Sequence, residues 1–295
     1  MTLDQRIEKD LAERRNGNSI TAAKQLAPLA KDGDGFQFST KGLPTYFTGK
    51  RDAETVFVQL NPGMNADLAD KRWNFDTKHF NHSSLESFAK DYMDSRINYG
   101  KNDRLRYDSF DVKQAAFLSG WQDCGISFPE NINWNDLAQK DLYWLEAKES
   151  VLMDKLQLEL IPYASQKFEI NKEQLHLLFP YVDILLDEII RKDRKYVIFG
   201  GNFDDLFIKY NEKCPDTFDL SRDRKSIDLT GLKKKNNTDD WTAKLYYRVI
   251  NINHNNKTQK ALIAYTFPKQ NLGNAFAILQ EYGKQCYEAF INTQF

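Results

Sequence analysis

Three short strand-like runs, each halted by proline or glycine, constrain the fold of this chain more than any other feature. They are Thr55-Val56-Phe57-Val58-Gln59-Leu60 before Asn61-Pro62-Gly63, Leu156 to Ile161 before Pro162, and Lys195-Tyr196-Val197-Ile198-Phe199 before Gly200-Gly201. Runs this apolar suit strands buried on both faces, which occur in sheets covered by helices. Helical patterns lie between them. Lys172 to about Ile190 sets Leu175, Leu178, Phe179, Val182, Leu185, Leu186 and Ile189 on one broad face. Leu3, Ile7 and Leu11 recur at i, i+4, i+8 before Asn16-Gly17-Asn18, and Ser19 is expected to cap a second helix reaching about Lys31. Further helices are expected from Asp204 to Glu212 and from Gly273 to Asn292. Leu245 to Ile252 and Lys260 to Thr266 read as strands joined at His254-Asn255-Asn256-Lys257, a hairpin. Residues 64–155 read as helices and long aromatic-rich loops, and 213–243 as a polar, basic stretch.

This order predicts an α/β fold, three-layer α/β/α with a central, mostly parallel sheet. The strands run from residue 55 to 266. One domain is therefore expected over 1–295, with an N-terminal helical extension and an insertion at about 213–259.

Composition narrows the function classes. The 295 residues carry 41 Lys+Arg against 42 Asp+Glu, a formal net charge of −1. That excludes a globally basic nucleic-acid coat and an acidic disordered tail. A content of 41% hydrophobic and 13% aromatic residues excludes a disordered chain. Cys124, Cys214 and Cys286 are scattered, with no CxxC pair, which argues against a zinc ribbon or a four-cysteine cluster and suits a reducing compartment. The first ten residues are too charged for a signal peptide. No run approaches the roughly 18 apolar residues of a membrane span. A cytoplasmic protein without membrane contact is expected.

Phosphate-cradling and nucleophile motifs are missing: no GxGxxG follows the first strand, and there is no GxxxxGK[ST] and no GxSxG. No cofactor is expected. Asp76, His79 and His82 form D-x-x-H-x-x-H, either metal ligands on one helix face or a solvated polar stretch; no metal site is assigned. In sheets of this class ligands sit beyond the carboxyl ends of the strands. Four segments should converge there: Asn61-Pro62-Gly63, Pro162-Tyr163-Ala164-Ser165, Gly200-Gly201-Asn202 and Phe267-Pro268-Lys269.

Gln59-Leu60-Asn61-Pro62-Gly63-Met64-Asn65, directly after a buried strand, resembles the first motif of the uracil-DNA glycosylase superfamily, in particular the branch with an N-P-G signature that acts on mismatched uracil or thymine. The resemblance implies that Asn61 holds the hydrolytic water. An amide orients water but is no strong base. Base departure leaves an oxocarbenium-like sugar that a weak nucleophile traps. Gly63 stands where uracil-only members carry a tyrosine, which implies a roomier pocket. Three later segments fall in the family's order. Leu158-Glu159-Leu160-Ile161-Pro162 lies where a base-reading asparagine is expected, aligned with Glu159. Tyr196 to Gly201 matches a strand-then-glycine element. Thr266-Phe267-Pro268-Lys269-Gln270-Asn271-Leu272 matches a minor-groove loop usually written H-P-S.

Two positions depart from the pattern. Phe267 replaces a histidine or asparagine that would stabilise the departing base, a loss of about 3 kcal/mol. Glu159 replaces the asparagine. An ionised carboxylate only accepts, so it favours donor-rich edges such as the N4 amino group of cytosine or the N1–H and N2–H₂ of guanine rather than uracil. Glu159 is alternatively structural, bonded to backbone amides or to a lysine. Phe75 is the first choice for stacking on a base, with Trp73 and Phe80 behind it and a packed core role as the alternative for each. Lys269, Gln270 and Asn271, or Lys233, Lys234 and Lys235, are candidates for phosphate contact or else solvated loop residues. Tyr163 and Ser165 are candidates for ligand contact at a strand end. Arg191 to Lys195 precede a strand and read as a helix C-terminus on the opposite edge.

The resemblance thus implies a glycosylase-like protein that hydrolyses the N-glycosidic bond of a flipped base, with DNA as partner. The alternatives are an inactive member of the same fold that binds nucleic acid or a nucleotide, and an unrelated α/β protein that presents its Trp73–Trp144 segment to a partner.

Overall fold

The computed structural model describes residues 1–31, 38–42, 44–61, 110–130, 132–135, 143–165, 168–233, 240–267 and 276–294, with the backbone alone for 230–233 and 240–243. Among these residues eight strands share one sheet: β1 (Phe47–Gly49), β2 (Thr55–Gln59), β3 (Leu156–Glu159), β4 (Tyr196–Gly200), β5 (Phe218–Asp219), β6 (Lys225–Lys233), β7 (Asp240–His254) and β8 (Lys257–Ala264). Neighbours run β1-β3-β2-β4-β8-β7-β5, and β6 also pairs with β7. The pairs β3–β2, β2–β4 and β4–β8 are parallel, while β1–β3, β7–β8, β5–β7 and β6–β7 are antiparallel.

The parallel centre follows from burial. Every residue of β2, β3 and β4 is buried, as strands covered on both faces require. Residues alternate between two cores. Val56, Val58, Val197, Phe199 and Ile263 join helices α1 (Leu3–Arg15), α2 (Thr21–Gln25), α5 (Phe179–Ile190) and α6 (Asp204–Lys213). Phe57, Ile198 and Leu262 join α3 (Phe110–Leu118), α4 (Leu145–Asp154) and α7 (Phe276–Asn292). Each fully buried aliphatic or aromatic side chain contributes about 1.5–3 kcal/mol. The result is a mixed α/β fold with helices packed around a multi-stranded sheet. Gly283 brings α7 against α3: a Cβ there would collide with the carbonyl group of Phe117.

Several elements differ from the sequence expectation for identifiable reasons. Ser19 does not cap the second helix. Ile20 is the N-cap, the Thr21 amide donates to Glu13 Oε2 at 2.6 Å, and α2 stops at Gln25 before a 3₁₀ turn over Ala27–Leu29 that contains Pro28. The expected helix from Lys172 to Ile190 is two elements, a 3₁₀ stretch over Lys172–Leu178 and then α5. Pro180 lies in the first turn of α5, where its missing N–H is harmless but a continuous α-helix would lose a bond. The stretch 213–243 is not mere polar loop: it supplies β5, β6 and the start of β7. The expected hairpin is present and longer, with Asn255 (φ 49°) and Asn256 (φ 60°) between paired His254 and Lys257. Positive φ at both central residues is the signature of a type I′ turn.

Trp121, Trp134 and Trp144 are buried, which removes them from any partner-facing surface. Trp73 lies outside the described residues. No helix among the described residues is long and apolar enough to cross a membrane.

Candidate active site at the carboxyl ends of the parallel strands

Successive parallel strands step first to one side of β2, giving β3, and then to the other, giving β4 and β8. The connections after β2 and β4 therefore leave in opposite directions. A crevice at the carboxyl ends is the geometric consequence. The residues there are Gln59 at the end of β2 and Asn61 after it, Glu159 at the end of β3 and Ser165 after it, and Gly200 at the end of β4 and Gly201 after it.

The structure brings these residues together. Gln59 and Glu159 are register partners across the parallel β2–β3 pair. That pairing continues past the strands, since the Leu160 amide donates to the Gln59 carbonyl at 2.9 Å and the Ile161 amide to the Leu60 carbonyl at 2.8 Å. Asn61 Nδ2 donates to Ser165 Oγ at 2.6 Å. This bond fixes the Asn61 amide with its Oδ1 as the acceptor end. Ser165 is buried and Asn61 half-buried. On the other flank, a Cβ on Gly200 would lie 2.8 Å from Phe57 Cε1 and 3.0 Å from Gln59 Cδ, and closer still to Gln59 Nε2. Glycine is what leaves room for the Gln59 carboxamide. Gln59 is 7% exposed, and its Nε2 has no hydrogen-bond partner among the described residues. A buried amide donor left unmade costs about 1–3 kcal/mol, so this position works against stability.

Glu159 sits at the end of a buried polar ladder that sequence reasoning missed. Lys155, Gln157 and Glu159 alternate on one face of the β3 segment, while Leu156 and Leu158 face the opposite core. Lys155 Nζ donates to Gln157 Oε1 at 2.9 Å, and Gln114 Nε2 of α3 donates to the same oxygen at 3.0 Å. With its oxygen so occupied, the Gln157 amide turns its Nε2 toward Glu159 Oε1 and donates to it. Glu159 is thus tied to a lysine through one amide. The signal was in the sequence, as polar residues at i, i+2, i+4 inside an otherwise apolar strand.

Other candidate residues fall elsewhere. Tyr163 is 1% exposed in the core on the α1 and α5 face, where its hydroxyl donates to Asp10 Oδ2 at 2.6 Å. Tyr46 donates to the same oxygen at 2.7 Å. Arg6 reaches the hydroxyls of Tyr46, Tyr163 and Tyr181 at 2.9–3.0 Å. Burial pushes the Tyr163 phenol far up, so it stays a donor. Burial also raises the Asp10 carboxyl above its usual range, opposed by the Tyr163 hydrogen bond. This group anchors α1 to the sheet. Phe267 is 2% exposed and packs against Phe57, Phe110 and Phe117 at centroid distances of 5.1–6.0 Å. Arg194 lies at the amino end of β4, and its guanidinium takes the carbonyls of Glu188 and Ile189 at the end of α5. Lys195 pairs there with Asp123. Pro62, Gly63, Asn65, Phe75, Phe80, Asp76, His79, His82, Pro268, Lys269, Gln270 and Asn271 lie outside the described residues, as do the side chains of Lys233, Lys234 and Lys235. Among the described residues no group of three His, Cys, Asp or Glu side chains is arranged to hold a metal ion.

No family model, no curated protein and no solved structure matches the chain.

Proposed function

We propose that this chain is a cytoplasmic, glycosylase-like hydrolase of three-layer α/β/α design, with a mostly parallel central sheet, that binds a base flipped out of DNA and cleaves its N-glycosidic bond. The observation that carries this reading is the meeting of Asn61 with Ser165, beside Gln59 and Glu159, at the carboxyl ends of β2 and β3. Asn61, oriented by Ser165, positions the attacking water through Oδ1. Glu159, held by Gln157, accepts hydrogen bonds from the base, and Gln59 Nε2 donates one. One acceptor beside one donor suits a base edge that carries both, with the carboxylate selecting an N–H-rich edge over plain uracil. Strand release is measured on oligonucleotides containing uracil, mismatched thymine, hypoxanthine or xanthine, with wild type and Asn61→Ala. Release from at least one of them, lost in the variant, is expected. No release from any of them sinks the enzymatic claim.

Phe267 favours a second reading, in which the same fold binds a nucleobase without cleaving it. Its ring is locked in an aromatic cluster and supplies no hydrogen bond to a leaving base. Oligonucleotide binding that survives Asn61→Ala, with no base release, would decide for this reading.

A further inference from the structure

A second group of side chains lies at the same carboxyl end of the sheet, one strand beyond Gly200, on the face of Val197, Phe199 and Ile263 rather than on that of Phe57 and Gln59. Tyr265 directly follows β8, whose last residue, Ala264, pairs with Gly200. The Gly201 amide donates to the Ala264 carbonyl at 3.0 Å. Arg224 stands one position before Lys225, which pairs with Tyr247 of β7. Its guanidinium carbon lies 4.2 Å from the centre of the Tyr265 ring and 4.4 Å from that of Tyr246. Both distances are well inside the range of a cation–π contact.

The Tyr265 ring is itself held, and so is the Tyr246 backbone. Tyr265 donates its hydroxyl to Asp204 Oδ1 at 2.6 Å, and burial followed by this bond raises its phenol so that it stays protonated. The Tyr265 amide donates to the Tyr246 carbonyl at 3.0 Å, and the Tyr246 amide to Thr266 Oγ1 at 2.7 Å. Asp204 does not neutralise Arg224: one of its oxygens takes Tyr265, and the other pairs with Arg248 Nη1 at 3.3 Å. Arg224 is exposed, and no hydrogen bond or ion pair joins it to another residue among those described. The guanidinium lies against both rings, and the residue is exposed to solvent. A planar fork held in this way is preorganised for an oxyanion with matching geometry.

We propose that Arg224, held by Tyr246 and Tyr265, is a phosphate-binding arm at the carboxyl end of the sheet, the end that also carries the candidate site. Strand spacing puts β8 about 10 Å from β2, a reach suited to a phosphate close to a base held at Asn61. That the phosphate belongs to a base-bearing ligand rests on the function proposed above; the phosphate chemistry of Arg224 does not.

The test is fluorescence anisotropy of a labelled single-stranded DNA oligonucleotide with wild type, Arg224→Gln and Arg224→Lys across a salt series, each protein first checked for an unchanged urea midpoint. Arg224→Gln is expected to weaken binding about tenfold or more and to lower the slope of log affinity against log salt by about 0.7, one single-strand phosphate. Arg224→Lys should restore the slope and not the affinity, because an ammonium lacks the planar fork. Competition with a nucleoside monophosphate identifies the source. Equal affinity for both ligands assigns the arm to a free nucleotide, and tighter oligonucleotide binding assigns it to the chain. Wild-type affinity and slope in Arg224→Gln overturn the proposal, as does a wild type that binds neither probe. Base release is not read here, so failure of the glycosylase reading leaves this result intact.

Discussion

Gly200→Ala joins the packing of the sheet to the geometry of the site. The added methyl carbon would sit 2.8 Å from Phe57 Cε1 and against the carboxamide of Gln59. Phe57 is 0% exposed and packs against Phe117 and Phe267, so its ring has little freedom to yield. Gln59 can yield only by withdrawing its amide from the crevice. Overpacking of this kind costs about 1–3 kcal/mol, or about 2–12 °C at roughly 2–4 °C per kcal/mol for a chain of this size. Urea denaturation should show a lower midpoint with an unchanged m-value, as expected when stability alone changes. The same substitution made in a Gln59→Ala background meets only the Phe57 ring. Its cost there should fall by about 1 kcal/mol, within the usual range for residues in contact. An unchanged midpoint in Gly200→Ala, or an equal cost in both backgrounds, would refute the claim that Gly200 is small to make room for Gln59.

Three further outcomes follow from named groups. Gln59→Met replaces an unpartnered buried amide with an apolar chain of similar length, so the urea midpoint should stay level or rise while oligonucleotide affinity falls; a midpoint lowered by more than about 1 kcal/mol would mean that the amide is engaged. Asp10 has its carboxyl raised by burial in the folded state, so the stability it contributes is fully present below its unfolded value and is lost as pH rises through the folded value. Wild type should therefore lose stability relative to Asp10→Asn as pH climbs out of the usual carboxylate range, and a pH-independent difference contradicts this. Of the three free thiols, Cys124 and Cys286 are buried and pushed up by burial, while Cys214 is half-buried. A disulfide reagent should titrate one thiol in the native protein and three in denaturant; rapid native labelling of all three would contradict the burial.

The sheet centre was legible because β2 and β4 are largely apolar and stop at proline or glycine, while β3, which alternates leucine with buried polar residues, runs on to Pro162. The hairpin was legible from Asn255-Asn256, since asparagine tolerates the positive φ that both residues adopt. β5 and β6 were not, because only Ile227 and Leu229 face the core among the described residues of β6, and the flanking lysines and aspartates read as loop. Of the candidate site, Asn61, Ser165 and Glu159 were picked out from strand-end logic and resemblance. Tyr163 was too, but a tyrosine at a strand end can turn to either side of the sheet, and the buried Arg6–Asp10 pair draws this one into the core. Lys155 and Gln157 were signalled only by the polar alternation along β3, whereas Arg224 acts through Tyr265, a partner distant in sequence that no local pattern announces.

The base preference of Glu159→Gln tests the central claim most directly. Gln157 donates to Glu159 Oε1, so the carboxylate presents acceptors alone, whereas a glutamine presents an acceptor and a donor. Competition binding of oligonucleotides carrying uracil, cytosine or guanine at the test position, with base release read in parallel, should show wild type favouring the donor-rich edges of cytosine and guanine. Glu159→Gln should shift preference toward uracil by about tenfold, the effect of one recovered hydrogen bond at roughly 1.4 kcal/mol. The same order of bases in both proteins, or no binding by either, would contradict the account.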